Sequence, residues 1–87
     1  MYSLVVKEGL DRTFARMAKK DRKRLDAVAK KVAEILENPY RFKPLRGPMQ
    51  GKRRVHVGPF VLVYEINEGR KVVILLDFEH HDTVYRR

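Results

Sequence analysis

The chain has 87 residues and no cysteine, so it suits one small domain and excludes disulfides, thiolate metal sites and a cysteine nucleophile. Twenty lysines and arginines against 11 aspartates and glutamates give a formal net charge of +9, which favours a nucleic-acid partner. The longest apolar run, residues 72–76, is too short to cross a bilayer, and we expect a cytoplasmic protein with no membrane partner.

The first half of the chain predicts a strand followed by a helical hairpin. Residues 2–7 are short, apolar and β-branched, which is typical of a strand. From Leu10 to Leu36 apolar residues recur every three or four positions, as on one face of a helix. Asp21 divides this stretch and is the predicted N-cap of the second helix, which residues 37–39 end.

The second half predicts strands. Residues 40–51 contain two prolines and two glycines and predict a loop. Strands are predicted at residues 52–57, 60–66 and 71–80, with turns at residues 58–59 and 67–70. The fold class is therefore α+β in the order β-α-α-β-β-β. The last three strands form an antiparallel meander, the first strand joins the same sheet, and the hairpin covers one face.

The strand at residues 52–57 carries the first candidate site residues. Side chains alternate between the faces of a strand, so Arg54 and His56 share one face while Val55 and Val57 share the other. The valines predict the face against the helices. Arg54 and His56 are then expected on the solvent-facing side, either as ordinary solvated residues or as part of a binding surface.

The C-terminal stretch "EHHDTVYRR" raises the possibility of a metal site, which we do not expect. Adjacent histidines on a strand point to opposite faces, so His80 and His81 cannot readily bind one ion, and at most one of them faces His56. Glycine-rich phosphate loops and a serine nucleophile motif are also absent, and no cofactor is expected. Arginine, histidine and tyrosine suit metal-independent cleavage of RNA, which needs a base, an acid and cations around the phosphate.

The element order, "KPLRG" at residues 43–47, "RRVHVGPFVLVYEI" at residues 53–66 and the terminal "HHDTVYRR" resemble the RelE/ParE superfamily of toxins. The resemblance covers nearly the whole chain and implies one RelE-like toxin domain over residues 1–87. It implies the toxin of a type II toxin–antitoxin pair, a ribosome-dependent mRNA endoribonuclease that inhibits translation by cleavage through the 2′-hydroxyl without metal. The implied partners are the ribosome, mRNA and an antitoxin whose extended helix wraps the toxin.

The residue types and the resemblance together indicate the site residues. The predicted catalytic residues are Arg54, His56, His81 and Tyr85. The predicted RNA-binding residues are Lys43, Arg46, Lys52, Arg53, His80, Arg86 and Arg87.

One position departs from the family pattern. Val61 occupies the place after the "GPF" turn where the family usually has an arginine. An alternative therefore stays open, in which the chain is a non-catalytic binding module, either a ParE-type gyrase inhibitor or an inactive relative. A third alternative is a basic domain that binds RNA or DNA without toxicity.

Overall fold

The computed structural model describes residues 1–45 and 51–86, and of residues 84–86 it describes the backbone alone. The secondary-structure elements, in chain order, are β1 (Ser3–Val6), α1 (Leu10–Lys20), α2 (Arg22–Glu37), β2 (Lys43–Pro44), β3 (Lys52–Val57), β4 (Phe60–Asn67), β5 (Val72–His80) and α3 (His81–Arg86).

The strands form one mixed sheet in the order β1-β5-β4-β3-β2. Strands β3, β4 and β5 pair antiparallel, as the predicted meander requires, and β1 pairs parallel to β5 at one edge. The predicted α+β fold with a single sheet is confirmed. Two elements were not predicted: β2, a two-residue strand inside the expected loop, and α3, which follows β5 directly.

The helical hairpin begins and turns at residues that the sequence indicates. Gly9 precedes α1 with φ of 94°, a left-handed conformation that suits glycine. Asp21 separates the helices, and its side chain accepts a hydrogen bond from the Arg24 amide at 3.2 Å. The predicted N-cap is therefore confirmed, and α2 ends at Glu37 as expected.

The main hydrophobic core lies between the hairpin and one face of the sheet. Its buried residues are Leu10, Val28, Ile35, Val55, Val57, Leu62, Tyr64, Val73, Leu75 and Phe78. Tyr64 is fully buried, and its hydroxyl donates to the Pro39 carbonyl at 2.6 Å, which fastens the chain after α2 to the centre of the sheet. Burial raises the pKa of this phenol to about 12.

A second, smaller core lies on the opposite face of the sheet, which we call the open face. Leu45, Val61 and Val63 are buried there, with Leu76 packed against them. An irregularity in the pairing of β4 with β5 places Asp77 opposite Val63 and Leu75 opposite Tyr64, which leaves Leu76 without a partner in the register. This bulge lets Leu76 join the open-face cluster.

A polar cluster closes the end of the sheet at the β4–β5 turn. The hydroxyls of Tyr2 and Tyr40 donate to Glu68 Oε1 at 2.7 and 2.6 Å, and Lys71 forms an ion pair with the same carboxylate. These hydrogen bonds, that of Lys71 first, lower the pKa of Glu68 to about 2. The cluster joins the N-terminal segment, the loop after α2 and the β4–β5 turn. The candidate site lies at the other end of the sheet.

Candidate functional site

The site begins on β3, where alternation of side chains separates charged from apolar residues. Val55 and Val57 are buried in the main core, which confirms the predicted face. Arg54 and His56 lie on the open face, with Arg54 half-buried and His56 exposed.

Arg54 and His56 are in direct contact. The distance from Arg54 Nη1 to His56 Nε2 is 2.9 Å. A guanidinium group has donors only, so in this contact Nε2 must be the acceptor and Nδ1 must carry the ring proton. The contact therefore selects the neutral form of His56 and one of its two tautomers.

The surroundings of His56 favour the same neutral form. Although the side chain is largely exposed, its neighbours shield part of the ring from water, and this partial desolvation lowers its pKa below the usual 6.5. The positive charges of Arg54, His81 and Lys43 lower the pKa further. His56 is thus an unprotonated imidazole at neutral pH, held beside a cation. This is the state that a general base needs, once Nε2 is released from Arg54.

Helix α3 brings a second imidazole to His56. The ring centres of His56 and His81 are 5.8 Å apart with an angle of 30° between the ring planes. The backbone amide of His81 donates to the Pro59 carbonyl at 2.9 Å, which holds the start of α3 against the β3–β4 turn. His81 Nδ1 lies 3.3 Å from Asp82 Oδ1, so the carboxylate is placed to accept a hydrogen bond from the ring.

His80 points away from this pair, as the alternation argument predicts. Its ring meets the Phe60 ring edge to face, with centres 5.7 Å apart, on the side of the sheet that the helices cover. The Asp82 amide donates to His80 Nδ1 at 3.3 Å. His80 therefore satisfies a free amide in the first turn of α3, and it does not join His56 and His81.

Val61 forms part of the floor of the open face. In the strand register it lies opposite His56 on one side and Glu79 on the other, and it is 0% exposed. The position where the family usually has an arginine is thus apolar and covered. The cations next to Val61 on the open face therefore come from neighbouring strands.

Lys43 and Lys52 extend the charged surface of β3. Lys43 lies opposite Arg54 in the pairing of β2 with β3, and its charge is among those that lower the pKa of His56. The side chain of Lys43 is exposed. Lys52 shares the open face but lies opposite Glu65, at the far end of β3 from His56.

Arg53 does not lie with the predicted RNA-binding residues. Its Nη1 donates to the Phe42 carbonyl at 2.7 Å, and its guanidinium lies 5.1 Å from the centre of the Tyr40 ring. Arg53 shares the face of Val55, so alternation directs it to the helix side, where it holds the loop after α2. The side chains of Arg53 and Arg54 thus lie on opposite faces of the sheet, and the RNA-binding role of Arg53 stays a prediction.

The remaining predicted site residues lie wholly or partly outside the described part of the chain. Arg46 and Arg87 lie outside the described residues. Tyr85 and Arg86 lie in α3, where only the backbone is described. Their roles stay predictions.

Asp82 is the site residue that the sequence interpretation did not assign. It contacts both neighbouring histidines, and its place in the first turn of α3 also suits the helix dipole. Its position directly after two histidines was the available signal. Across residues 1–45 and 51–86, no group of three or more histidines and carboxylates is arranged to hold a metal ion.

Comparisons with known proteins place this geometry in context. A family model described as "ParE toxin of type II toxin-antitoxin system, parDE" matches residues 6–85. RelE4 of Methanocaldococcus jannaschii, a protein whose toxin role is itself inferred, is 41% identical over 88 residues, covering 100% of this chain and 94% of that protein.

Two solved structures share the fold. The RelBE2 toxin–antitoxin complex of Mycobacterium tuberculosis contains a chain with a TM-score of 0.77 and 23% identity, covering 92% of this chain and 98% of that chain. The intact Escherichia coli RelBE toxin–antitoxin complex contains a similar chain, with a TM-score of 0.71 and 25% identity, covering 92% of this chain and 96% of that chain.

Proposed function

Because this chain belongs to the ParE toxin family of type II toxin–antitoxin systems, within the RelE/ParE superfamily, we propose that it is a toxin that cleaves mRNA on the ribosome. The observation that carries the proposal is the contact of Arg54 with a neutral His56, beside which α3 places His81. These are groups that metal-independent RNA cleavage requires.

In the proposed reaction, the 2′-oxygen of one nucleotide attacks the adjacent phosphorus, and the bond from phosphorus to the 5′-oxygen of the next nucleotide breaks. His56 Nε2 takes the proton of the 2′-hydroxyl. His81, protonated and supported by Asp82, gives a proton to the leaving 5′-oxygen. The products are a 2′,3′-cyclic phosphate and a 5′-hydroxyl, and the reaction needs neither metal nor cofactor.

Arg54 has two successive roles in this scheme. Before RNA binds, its guanidinium occupies Nε2 of His56. An arriving phosphate is a stronger acceptor for arginine than a neutral imidazole, so Arg54 turns to the phosphate and releases Nε2. It then stabilises the charge that develops on the phosphate, together with Lys43, in place of the arginine that Val61 replaces.

The protein partner in this proposal is an antitoxin. The two similar folds described above were solved as toxin–antitoxin complexes, which supports such a partner for this chain. No helix in the described ranges is both long and apolar enough to cross a membrane. We place the activity in the cytoplasm, where ribosomes and mRNA are found.

Primer extension on translating ribosomes tests the proposal. The wild-type protein, released from its antitoxin, should cut the message, and Arg54→Ala should reduce the rate by about 10²-fold. Arg70→Ala, which removes an exposed arginine at the opposite end of the sheet, is the matched control and should cut like wild type. An intact message with wild-type protein and active ribosomes would refute the nuclease.

A second candidate function is inhibition of DNA gyrase without catalysis. The family model that matches is a ParE model, and the open face has valine at the usual arginine position. A supercoiling assay with purified gyrase separates the two candidates. Inhibition of gyrase by both wild type and Arg54→Ala, with uncut message, would favour this second function.

A further inference from the structure

The pairing of β2 with β3 ends at Arg54, so β3 continues past its neighbour. Strand β2 pairs with β3 at two positions, Lys43 with Arg54 and Pro44 with Arg53. The chain bends at residues 41 and 42, directly before β2 begins. In the part of the chain that the structure describes, residues 55–57 of β3 therefore have no strand beside them on this edge.

The backbone amide and carbonyl of His56 point to this edge. Along a strand, the backbone groups of successive residues point to alternate sides. The Lys52 carbonyl accepts a hydrogen bond from the Leu45 amide at 2.8 Å, on the β2 side. The backbone groups of Arg54 and His56, two and four residues later, point to the same side. Arg54 meets Lys43 there, whereas among the described residues no strand or loop backbone pairs with His56 on that side.

These two backbone groups lie at a cleft beside the candidate site. The cleft has a volume of about 540 Å³ and is lined by Arg41, Phe42, Lys43, Arg54, Val55 and His56. Three of these six residues are cations, and none of the six is acidic. Phe42 is half-buried and gives the cleft an apolar wall. The cleft therefore combines a donor, an acceptor, an apolar wall and positive charge, the groups with which proteins bind nucleotides.

We infer that this cleft holds the base of the nucleotide whose 2′-hydroxyl His56 deprotonates. The Watson–Crick edge of each base has a hydrogen-bond donor next to an acceptor, so it complements the amide and carbonyl of His56. The base packs against Phe42, and the cations attract the phosphates. The His56 side chain leaves the strand toward the open face, so the ribose of the bound nucleotide lies beside the imidazole. This inference rests on the proposed function, because it assigns a part of the substrate to the same site.

The short length of this edge favours a base over a peptide strand. An added strand forms backbone hydrogen bonds at every second residue over several residues. The next residue after His56 on this side is Gly58, which has φ of 59° and lies in the β3–β4 turn. Beyond Arg54 the edge therefore offers one donor and one acceptor, which matches one base. Because every base can meet this pair, the cleft is expected to bind a base without selecting its identity.

The test uses short oligonucleotides that cannot be cleaved, and it needs no ribosome. Three trinucleotides with 2′-deoxyriboses are compared. The first has uracil, the second has N3-methyluracil, in which the methyl group blocks the Watson–Crick edge, and the third has C5-methyluracil, in which the methyl group lies on the opposite edge. Inorganic pyrophosphate is the probe for binding through charge alone. Affinity is measured by NMR titration, and hydrogen exchange of the His56 amide is measured at saturation, with the Arg54 amide as the internal control.

We expect uracil and C5-methyluracil to bind within about threefold of each other and to slow exchange of the His56 amide. N3-methyluracil should bind more weakly by on the order of 10-fold, because both hydrogen bonds of the base are lost. Phe42→Ala should weaken binding of the uracil trinucleotide by a similar factor. Tyr2→Ala is the matched control, since it removes another half-buried aromatic ring, at the opposite end of the sheet. It should differ from wild type by less than about threefold.

Two results would overturn the inference directly. One is equal binding of uracil and N3-methyluracil, and the other is protection of the His56 amide by pyrophosphate alone. Protection of this amide by the antitoxin, with none by any trinucleotide, would also overturn it and would assign the edge to a peptide. Since the trinucleotides cannot be cut, the expected result would support the base site even for a protein that never cleaves a message, which separates this test from that of the nuclease.

Discussion

Arg54 and His56 are two residues apart on β3, and their contact favours the neutral form of the histidine. The guanidinium occupies Nε2 at 2.9 Å, and burial together with three nearby positive groups lowers the pKa of the ring. A histidine with a lowered pKa stays neutral as the pH falls from 7 toward 6. The limb of the pH profile that reports protonation of the general base should therefore lie below pH 6.5.

The pKa of His56 can be measured without any activity. In an NMR titration of the three histidines, we expect His56 to titrate below 6.5. Arg54→Gln removes one positive charge, so the pKa of His56 should rise, but it should stay below 6.5 because burial, the largest cause, persists. Arg70→Gln should leave it unchanged. A His56 that titrates at or above 6.5 in wild type would contradict this account.

The lowered pKa of His56 also makes the stability of the fold depend on pH. The unfolded chain binds a proton on this histidine at a higher pH than the folded chain does. The contribution of His56 to the free energy of unfolding is therefore complete above pH 6.5. It is lost as the pH falls through the pKa that His56 has in the folded state. Protonation of His56 in acid therefore destabilises the fold and also removes the proposed general base.

At the scale of elements, Tyr64 joins α2 to the centre of the sheet. Its hydroxyl is buried and donates to the Pro39 carbonyl, directly after the end of α2. Tyr64→Phe removes the donor and leaves a buried carbonyl without its partner, which costs about 1–3 kcal/mol. For a domain of this size, each 1 kcal/mol lowers the Tm by about 4–8 °C.

Tyr40→Phe is the matched control for this prediction. It removes the same group, but Tyr40 is exposed and its partner Glu68 keeps Tyr2 and Lys71. Thermal unfolding followed by circular dichroism should show a clearly smaller loss for Tyr40→Phe than for Tyr64→Phe. Equal losses would mean that the Tyr64 hydrogen bond adds nothing to the fold.

The elements differ in how well the sequence predicts them. The two helices, β1 and the three-stranded meander follow from apolar periodicity, Asp21 and the glycine- and proline-containing turns. β2 has two residues and exists through its pairing with Arg53 and Arg54, which local sequence does not encode. α3 has six residues, too few for a helical pattern, and the hydrogen bond from His81 to Pro59 that holds it depends on the folded β3–β4 turn.

The residues of the candidate site also differ in how well the sequence predicts them. The alternation of side chains along a strand correctly places Arg54 and His56 on the face of β3 opposite the main core. It also correctly places His80 and His81 on opposite faces of the sheet. The same rule applied to Arg53 predicts the helix side, where its guanidinium donates to the Phe42 carbonyl, and its contact with RNA stays a prediction. The contact between His56 and His81 joins residues 25 positions apart and required the structure.

At the scale of the whole molecule, the residues of the candidate site lie together at one end of the sheet. The helical hairpin covers one face, and the open face carries Lys43, Arg54 and His56 above a small apolar cluster. α3 adds His81 at the β3–β4 turn, and the start of α2 lies beside that turn on the other side. The opposite end is closed by the Glu68 cluster. The proposed cleavage would therefore take place at one end of the sheet.

The most direct test of the central claim, cleavage through the 2′-hydroxyl, is end-group analysis of a message cut on programmed ribosomes. We expect fragments with a 2′,3′-cyclic phosphate and a 5′-hydroxyl. It also predicts no cleavage when the nucleotide that supplies the 2′-hydroxyl is replaced by its 2′-deoxy form. Cleavage of the deoxy message at the normal rate, or fragments with a 5′-phosphate, would contradict it.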